Sequence, residues 1–231
     1  EKSLFFERDK YIDEYHVISQ KTKNQVSKLT DKKITSIPFW VNKNIWFQIN
    51  DKQKLYKKFK FDKEDYFIGS FQRDSEGSDV SKPKLSKGPD RLMEIVKELN
   101  KSQNIHVVLT GRKRDYLINE LTKNNIKFSY FEMATFETIN QLYNCLDLYI
   151  VSSRYEGGPQ AILECGVTKT PIISTDVGVA SEILAPESIF NMENFLQAKP
   201  NVEHAYTEAS KFEMNKVFLL YNKMLQNLYE N

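Results

Sequence analysis

Two glutamates eight positions apart, Glu156 and Glu164, offer the first chemistry legible in the chain. They bracket E-G-G-P-Q-A-I-L-E, in which two glycines and a proline separate a carboxylate from an apolar run of helical character. Gly157 and Gly158 let a ligand approach the backbone, and the free N–H groups at a helix start attract an anion such as a phosphate. Pro159 is tolerated in a first helical turn, where its missing N–H has no intrahelical partner to lose. Glu164 falls about one turn inside that helix and can face the same cleft as a fixed acceptor, a role suited to a diol rather than a phosphate.

The elements that position these residues follow from the flanking patterns. The apolar run Leu148–Val151 is short enough for a buried strand and ends in a small polar turn, Ser152-Ser153. Residues 160–167 read as a helix, so the glycines lie on the loop from the carboxyl end of a strand to a helix start. That is where open α/β sheets bind ligands. Further strands are expected at 15–19, 33–39, 66–71, 105–110, 126–131 and 171–174. Helices are expected at 20–29, 51–63, from near Pro89, at 114–124 and 136–146, and from 202 to the end. Strands alternating with helices predict parallel βαβ units in an α/β, doubly wound sheet. A polar loop at 72–87 exceeds a dozen residues, a length that is often functional.

Composition narrows the classes. The 231 residues suit one large domain or two small ones, and 40% hydrophobic with 13% aromatic content is ample for a core. No run approaches the roughly 18 apolar residues of a membrane span. A net charge of +2 argues against a dedicated nucleic-acid binder, so no nucleic-acid partner is expected. Cys145 and Cys165 make neither a disulfide framework nor a metal cluster, and a reduced, cytoplasmic protein is the expectation. The dinucleotide fingerprint and the P-loop are absent, which counts against a nicotinamide enzyme or an NTPase. There is no D-x-D motif and no zinc spacing. The first residues show neither a signal-peptide h-region nor an initiator Met, and the chain is expected to be a piece of a longer protein.

Several residues read as structural. Trp40 and Trp46 read as core or interdomain packing, because large rings mostly serve as packing area. The lysine-rich segment 51–63 reads as a solvated amphipathic helix rather than a membrane or nucleic-acid patch. His106 reads as a core or edge histidine, and Arg112 and Arg114 as a solvated helix start.

Taken in order, Lys87-Gly88, a strand, E-G-G-P, a helix carrying Glu164, and a strand ending in T-D-V-G resemble the donor-binding signature of family 4 (group 1) retaining glycosyltransferases of GT-B architecture. The resemblance covers roughly residues 11–185 and is sharpest over 142–183. It implies a Rossmann-like GT-B C-terminal domain with a remnant of the N-terminal domain. Residues 1–48 would end the N-terminal acceptor domain and form the hinge, and 49–200 would bind a nucleotide-sugar donor. Residues 201–231 would form a terminal helix packing back toward the N-terminal domain, most of which would be missing.

The resemblance also implies roles. Lys87 and Arg73 hold the donor diphosphate, although the usual Gly-Arg pair is split here by S-F-Q. Gly157, Gly158 and Pro159 approach the sugar and phosphates. Glu156 faces the donor sugar as the catalytic carboxylate, and Glu164 accepts from the ribose hydroxyls. Phe131, Glu132 and Met133 end a strand where backbone groups meet the base, with Glu132 standing where glycine is common. Gly178 and Glu182 match t-d-v-G-g-x-x-E-i, whereas Val179 replaces its second glycine, and amides near 178–180 are further phosphate donors. The helix at 136–146 resembles l-x-x-l-y-x-x-a-D.

The implied activity is transfer, with retention, from a UDP- or GDP-sugar to a saccharide or lipid-linked acceptor in cell-envelope polysaccharide synthesis. No metal or other cofactor is implied, and peripheral contact with the inner face of the membrane fits that employment. A nucleotide-sugar epimerase of similar architecture and a non-catalytic nucleotide-sugar-binding module remain the alternatives.

Overall fold

The computed structural model describes residues 2–77, 79 and 82–230. Three positions of the loop at 72–87, namely 78, 80 and 81, lie outside the described residues. In chain order the elements are α1 (Lys2–Asp9), β1 (Glu14–Val17), α2 (Gln20–Val26), β2 (Lys33–Ser36), α3 (Lys52–Phe59), β3 (Tyr66–Ser70), α4 (Pro89–Leu99), β4 (Ile105–Thr110) and α5 (Asp115–Lys123). They continue with β5 (Lys127–Phe131), α6 (Phe136–Cys145), β6 (Leu148–Val151), α7 (Gln160–Thr168), β7 (Ile172–Thr175), α8 (Ala180–Ile183), β8 (Ile189–Phe190), α9 (Val202–Ala209) and α10 (Met214–Glu230).

Six strands form one parallel sheet in the order β5-β4-β3-β6-β7-β8. The order reverses between β3 and β6, and that switch point opens a crevice at the carboxyl ends of the two strands. Adjacent residues of a strand point to opposite faces, so Phe67 and Ile68 seed two cores. On one face Phe67, Val108, Tyr149 and Ile172 pack under α6, α7 and α9. On the other, Ile68, Val107, Leu109, Ile150 and Ile173 pack under α4 and α5. Strands covered on both sides are near-continuous apolar runs, which is why β6 and, His106 apart, the body of β4 stand out.

The first lobe is a small βαβ unit in which β1 and β2 pair in parallel across α2. It sits on the second lobe through α2, whose first amide (Gln20) donates to Glu182 at 2.9 Å. Lys21 also pairs with Asp176 at 2.7 Å. Helix α10 crosses back onto the first lobe, where the Tyr221 ring meets His16 and Trp40 edge-on. Val41 exchanges backbone hydrogen bonds with Phe212 and Met214, at 2.9 and 3.0 Å. No helix among the described residues is long and apolar enough to cross a membrane.

The structure adds α1 and β8, neither of which the pattern signals. It also breaks the terminal helical run at 210–213, where a single 3-10 turn separates α9 from α10. His106 is a structural histidine. Its ring bridges Asp65 (3.1 Å) and Ser129 (2.9 Å), and burial holds its pKa below the ordinary value. Helix α3 is surface-borne, with Leu55 as its buried anchor.

Candidate functional site

The crevice at the switch point is a cavity of about 350 Å³. Two turns are fastened together to make one wall. After β6 the chain turns through Ser152 and Ser153, and the Ser152 hydroxyl donates to the Gly88 carbonyl at 2.8 Å. The amides of Arg154 and Tyr155 donate to the carbonyl of Ser86, and the Arg154 guanidinium grips both oxygens of Asp90 at 2.8 and 2.7 Å. Gly88 makes this contact possible: its φ is +63°, and a Cβ there would lie 2.0 Å from the Ser152 carbonyl oxygen. The consequence is that Lys87, at the end of a 3-10 turn, meets Glu156 in a salt bridge. Ser153 donates to the same carboxylate oxygen at 3.0 Å, and Gln72 donates to the Lys87 carbonyl at 3.0 Å.

Glu156 opens the loop into α7. Pro159 is the residue preceding that helix, with φ −66°, and no side chain caps the helix start. The amide of Ile162 is committed to the Pro159 carbonyl at 3.0 Å, and the first two residues, Gln160 and Ala161, line the cavity together with Lys87, so the helix start lends it an anion-attracting end. Gly157 and Gly158 lie under the Ile18 side chain of the first lobe. Gly178, with φ +52°, packs against them so closely that a Cβ would fall 2.6 Å from the Gly157 carbonyl oxygen.

One turn into α7, Glu164 faces the same cavity and accepts a 2.7 Å hydrogen bond from the hydroxyl of Tyr143. Burial lifts its pKa from about 4.5 to about 7, against the opposing effect of the Tyr143 bond. The opposite wall is aromatic. Tyr143 packs against Phe71 at 4.8 Å and Tyr149 at 5.5 Å between centroids, and Trp46 meets both Tyr143 and Phe136 edge-on at 5.8 Å. Trp46 is held there because α6 presents two asparagines one turn apart. Asn140 and Asn144 accept from the backbone amides of Phe47 (3.1 Å) and Ile49 (2.7 Å) in the segment before α3.

Lys87, Glu156, Gly158, Pro159 and Glu164 thus line one cavity, with Gly157 adjoining and Gly178 supporting it. Arg73, Glu132 and Met133 are not among the lining residues. Arg73 is exposed on its loop and donates to the Ser75 carbonyl at 2.8 Å. Glu132 and Met133 are exposed beyond β5, where Arg112 donates to the Met133 sulfur. The amide of Ala180 is already committed to the Val177 carbonyl, which removes it from the set of phosphate donors expected near 178–180.

Arg114 corrects the expectation of a solvated helix start. It is fully buried, pairs with Asp74 at 2.6 Å, and donates to the carbonyls of Ser70 (2.6 Å) and Thr110 (2.7 Å). It ties together the ends of β3 and β4, and its role is structural. Trp46, Phe71, Gln72, Phe136, Tyr143 and Tyr149 line the cavity without having been singled out for a site. Only Tyr143 carried a signal, as the tyrosine of the l-x-x-l-y helix.

The arrangement suits a ligand with a flat ring for the aromatic wall, hydroxyls for Glu164, and an anion for Lys87 and the start of α7. Among the described residues there is no group of three or more His, Cys, Asp or Glu that could hold a metal ion.

Solved structures share this architecture. Sucrose-phosphate synthase from Thermosynechococcus elongatus superposes with TM-score 0.76 at 14% identity, over 94% of this chain and 59% of that one. A glycosyltransferase from Rickettsia africae ESF-5 does so with TM-score 0.72 at 18% identity, over 97% and 68%. HepE from Anabaena, in complex with UDP and glucose, gives 0.74 at 16% identity, over 95% and 65%. At these identities the likeness is one of fold, that of GT-B glycosyltransferases, and the chain spans less than two thirds of the length of the first of them. No curated protein matches the chain by sequence. Residues 80–231, well over half of the chain and the part that builds nearly all of the cavity, match the description "Glycosyl transferases group 1". The chain belongs to the group 1 glycosyl transferases.

Proposed function

We propose that this chain is the donor-binding part of a family 4 retaining glycosyltransferase that uses a nucleotide sugar. The observation that carries the reading is the convergence of Lys87, the uncapped start of α7 and Glu164 on one cavity at the sheet's switch point. Lys87 and the α7 amides neutralise the diphosphate leaving group, which stabilises the charge that develops on it as the sugar departs. Glu156 turns from Lys87 toward the sugar hydroxyls and favours positive charge on the reacting ring. Glu164 accepts from the ribose, while Phe131, Glu132 and Met133 offer backbone groups to the base. Arg73 joins the phosphate site by exchanging the Ser75 carbonyl for a donor oxygen. The departing phosphate assists the incoming acceptor on one face of the sugar, and no metal is required.

The donor is a UDP- or GDP-sugar, a reading supported by HepE, which has been solved with UDP and with UDP-glucose. The acceptor is a saccharide or a lipid-linked saccharide of the cell envelope, met at the inner face of the membrane. Because the chain spans 59–68% of the length of the similar structures, donor binding is assigned to it and sugar transfer to a longer protein. Calorimetric titration with UDP, GDP and ADP in EDTA tests the reading. Binding of one nucleotide, weakened by Glu164→Ala and by Lys87→Ala, is expected. Binding that neither substitution affects would overturn it.

A further inference from the structure

We infer that Tyr143 is a positioning residue of this donor site, holding one oxygen of Glu164 so that the other is aimed at the ribose diol; the inference rests on the donor reading above. The hydroxyl of Tyr143 donates to Oε2 of Glu164 at 2.7 Å, and both side chains line the cavity. The tyrosine itself is fixed on three sides by Phe71, Tyr149 and Trp46, and its backbone carbonyl accepts from the Thr170 hydroxyl at 3.0 Å. A ring so confined places its hydroxyl at one spot, and the carboxylate follows. Trp46 is held by the segment before α3, which Asn140 and Asn144 of the same helix fasten, so that segment also bears on this alignment.

The bond has a second consequence. A carboxyl buried among aromatic rings favours its neutral form, and a neutral carboxyl is a poorer acceptor for a diol. Tyr143 stabilises the charged form and so opposes burial, which alone would push the group higher still. The titratable groups facing the Glu164 carboxyl are Tyr143 from α6 and Tyr149 from β6. Cys165 follows it on α7, and Lys87 and Glu156 line the same cavity. Burial raises both tyrosines and Cys165, which keeps them neutral through the range in which Glu164 titrates.

The test compares affinities for UDP, GDP and ADP with those for their 2′-deoxy forms, from about pH 5.5 to about pH 8.5, in the wild-type chain and in Tyr143→Phe. The wild type prefers the ribose form about tenfold at high pH, the effect of a hydrogen bond to a charged group. That preference fades as pH falls through about 7. In Tyr143→Phe the midpoint of this fading moves to higher pH, because the bond that favours the charged form is gone. A uniform loss of affinity for ribose and deoxyribose forms with an unmoved midpoint would overturn the inference alone. If the wild type binds none of the three nucleotides, the donor reading falls and this inference with it.

Carbon-13 NMR of the Glu164 carboxyl in the ligand-free chain gives a readout independent of binding. Its titration midpoint rises in Tyr143→Phe, and an unchanged midpoint contradicts the inference. Glu164→Gln supplies an arm that leaves Tyr143 in place. The tyrosine holds the amide oxygen and turns an NH₂ group to the cavity, which donates to a ribose hydroxyl only as a neutral hydrogen bond, so the ribose preference is weaker and no longer changes with pH; a preference that still fades as pH falls through about 7 overturns the inference.

Discussion

Lys87 and Glu156 are 69 positions apart in sequence and form a salt bridge on the wall of one cavity. The pairing depends on the contact between the turn before α4 and the turn after β6, so neither charge is placed by its own element alone. Each neutralises the other in the structure.

Lys87→Ala removes the cation from that pair. The expected outcome is a ten- to hundredfold loss of nucleoside diphosphate affinity, corresponding to about 1.5–3 kcal/mol for a hydrogen bond to a charged group. Affinity for the bare nucleoside changes little. Calorimetry with UDP and uridine side by side separates the two.

Glu164 makes the folded protein sensitive to pH in a direction opposite to that of most carboxylates. Its pKa rises from about 4.5 to about 7 on folding, so the folded state holds a proton that the unfolded chain has released. Its contribution is present in full below about pH 4.5 and is lost as pH rises through about 7. The loss is on the order of 3 kcal/mol. Glu164→Gln keeps an acceptor for Tyr143 but cannot ionise. It is expected to raise the melting temperature at pH 8 and leave it little changed at pH 4.5, as followed by calorimetric melting.

Arg114→Ala leaves the buried Asp74 carboxyl without its partner and frees the ends of β3 and β4. Breaking a buried pair in this way costs about 3–5 kcal/mol. A correspondingly lower denaturant midpoint is expected, with an unchanged slope.

Gly88→Ala tests the fastening of the two turns. The left-handed backbone alone penalises alanine by about 1–3 kcal/mol, and the Cβ would strike the Ser152 carbonyl. Reduced stability is expected together with weaker diphosphate binding, because Lys87 shifts with the turn. Gly77→Ala is the control. Gly77 has positive φ but no atom within 4 Å of the added Cβ, so it should lose stability without losing binding.

Much of the fold was legible because the central strands of the large sheet are buried on both sides. Ile105–Thr110 and Leu148–Val151 read with the bounds they have in the structure. The break between α9 and α10 was not legible, since 210–213 contains neither glycine nor proline and the helical spacing runs across it. Strand β8 has only two residues, too few to show a period. At the site, Glu156, Glu164 and Lys87 could be named from type and order. The aromatic wall could not, because Trp46, Phe71 and Tyr143 come from three separate segments and look like ordinary core. Arg114 was misread for a related reason: a guanidinium at a helix start has the same sequence signature whether solvent or four acceptors surround it.

The most direct test is a crystal structure of this chain with bound UDP or GDP. The diphosphate is expected between Lys87 and the start of α7, with the ribose hydroxyls on Glu164 and the base beyond them toward β5. A nucleotide lodged elsewhere, for instance in the lysine-lined groove beside α3 formed by Lys52, Lys57, Lys60 and Lys63, would contradict the account.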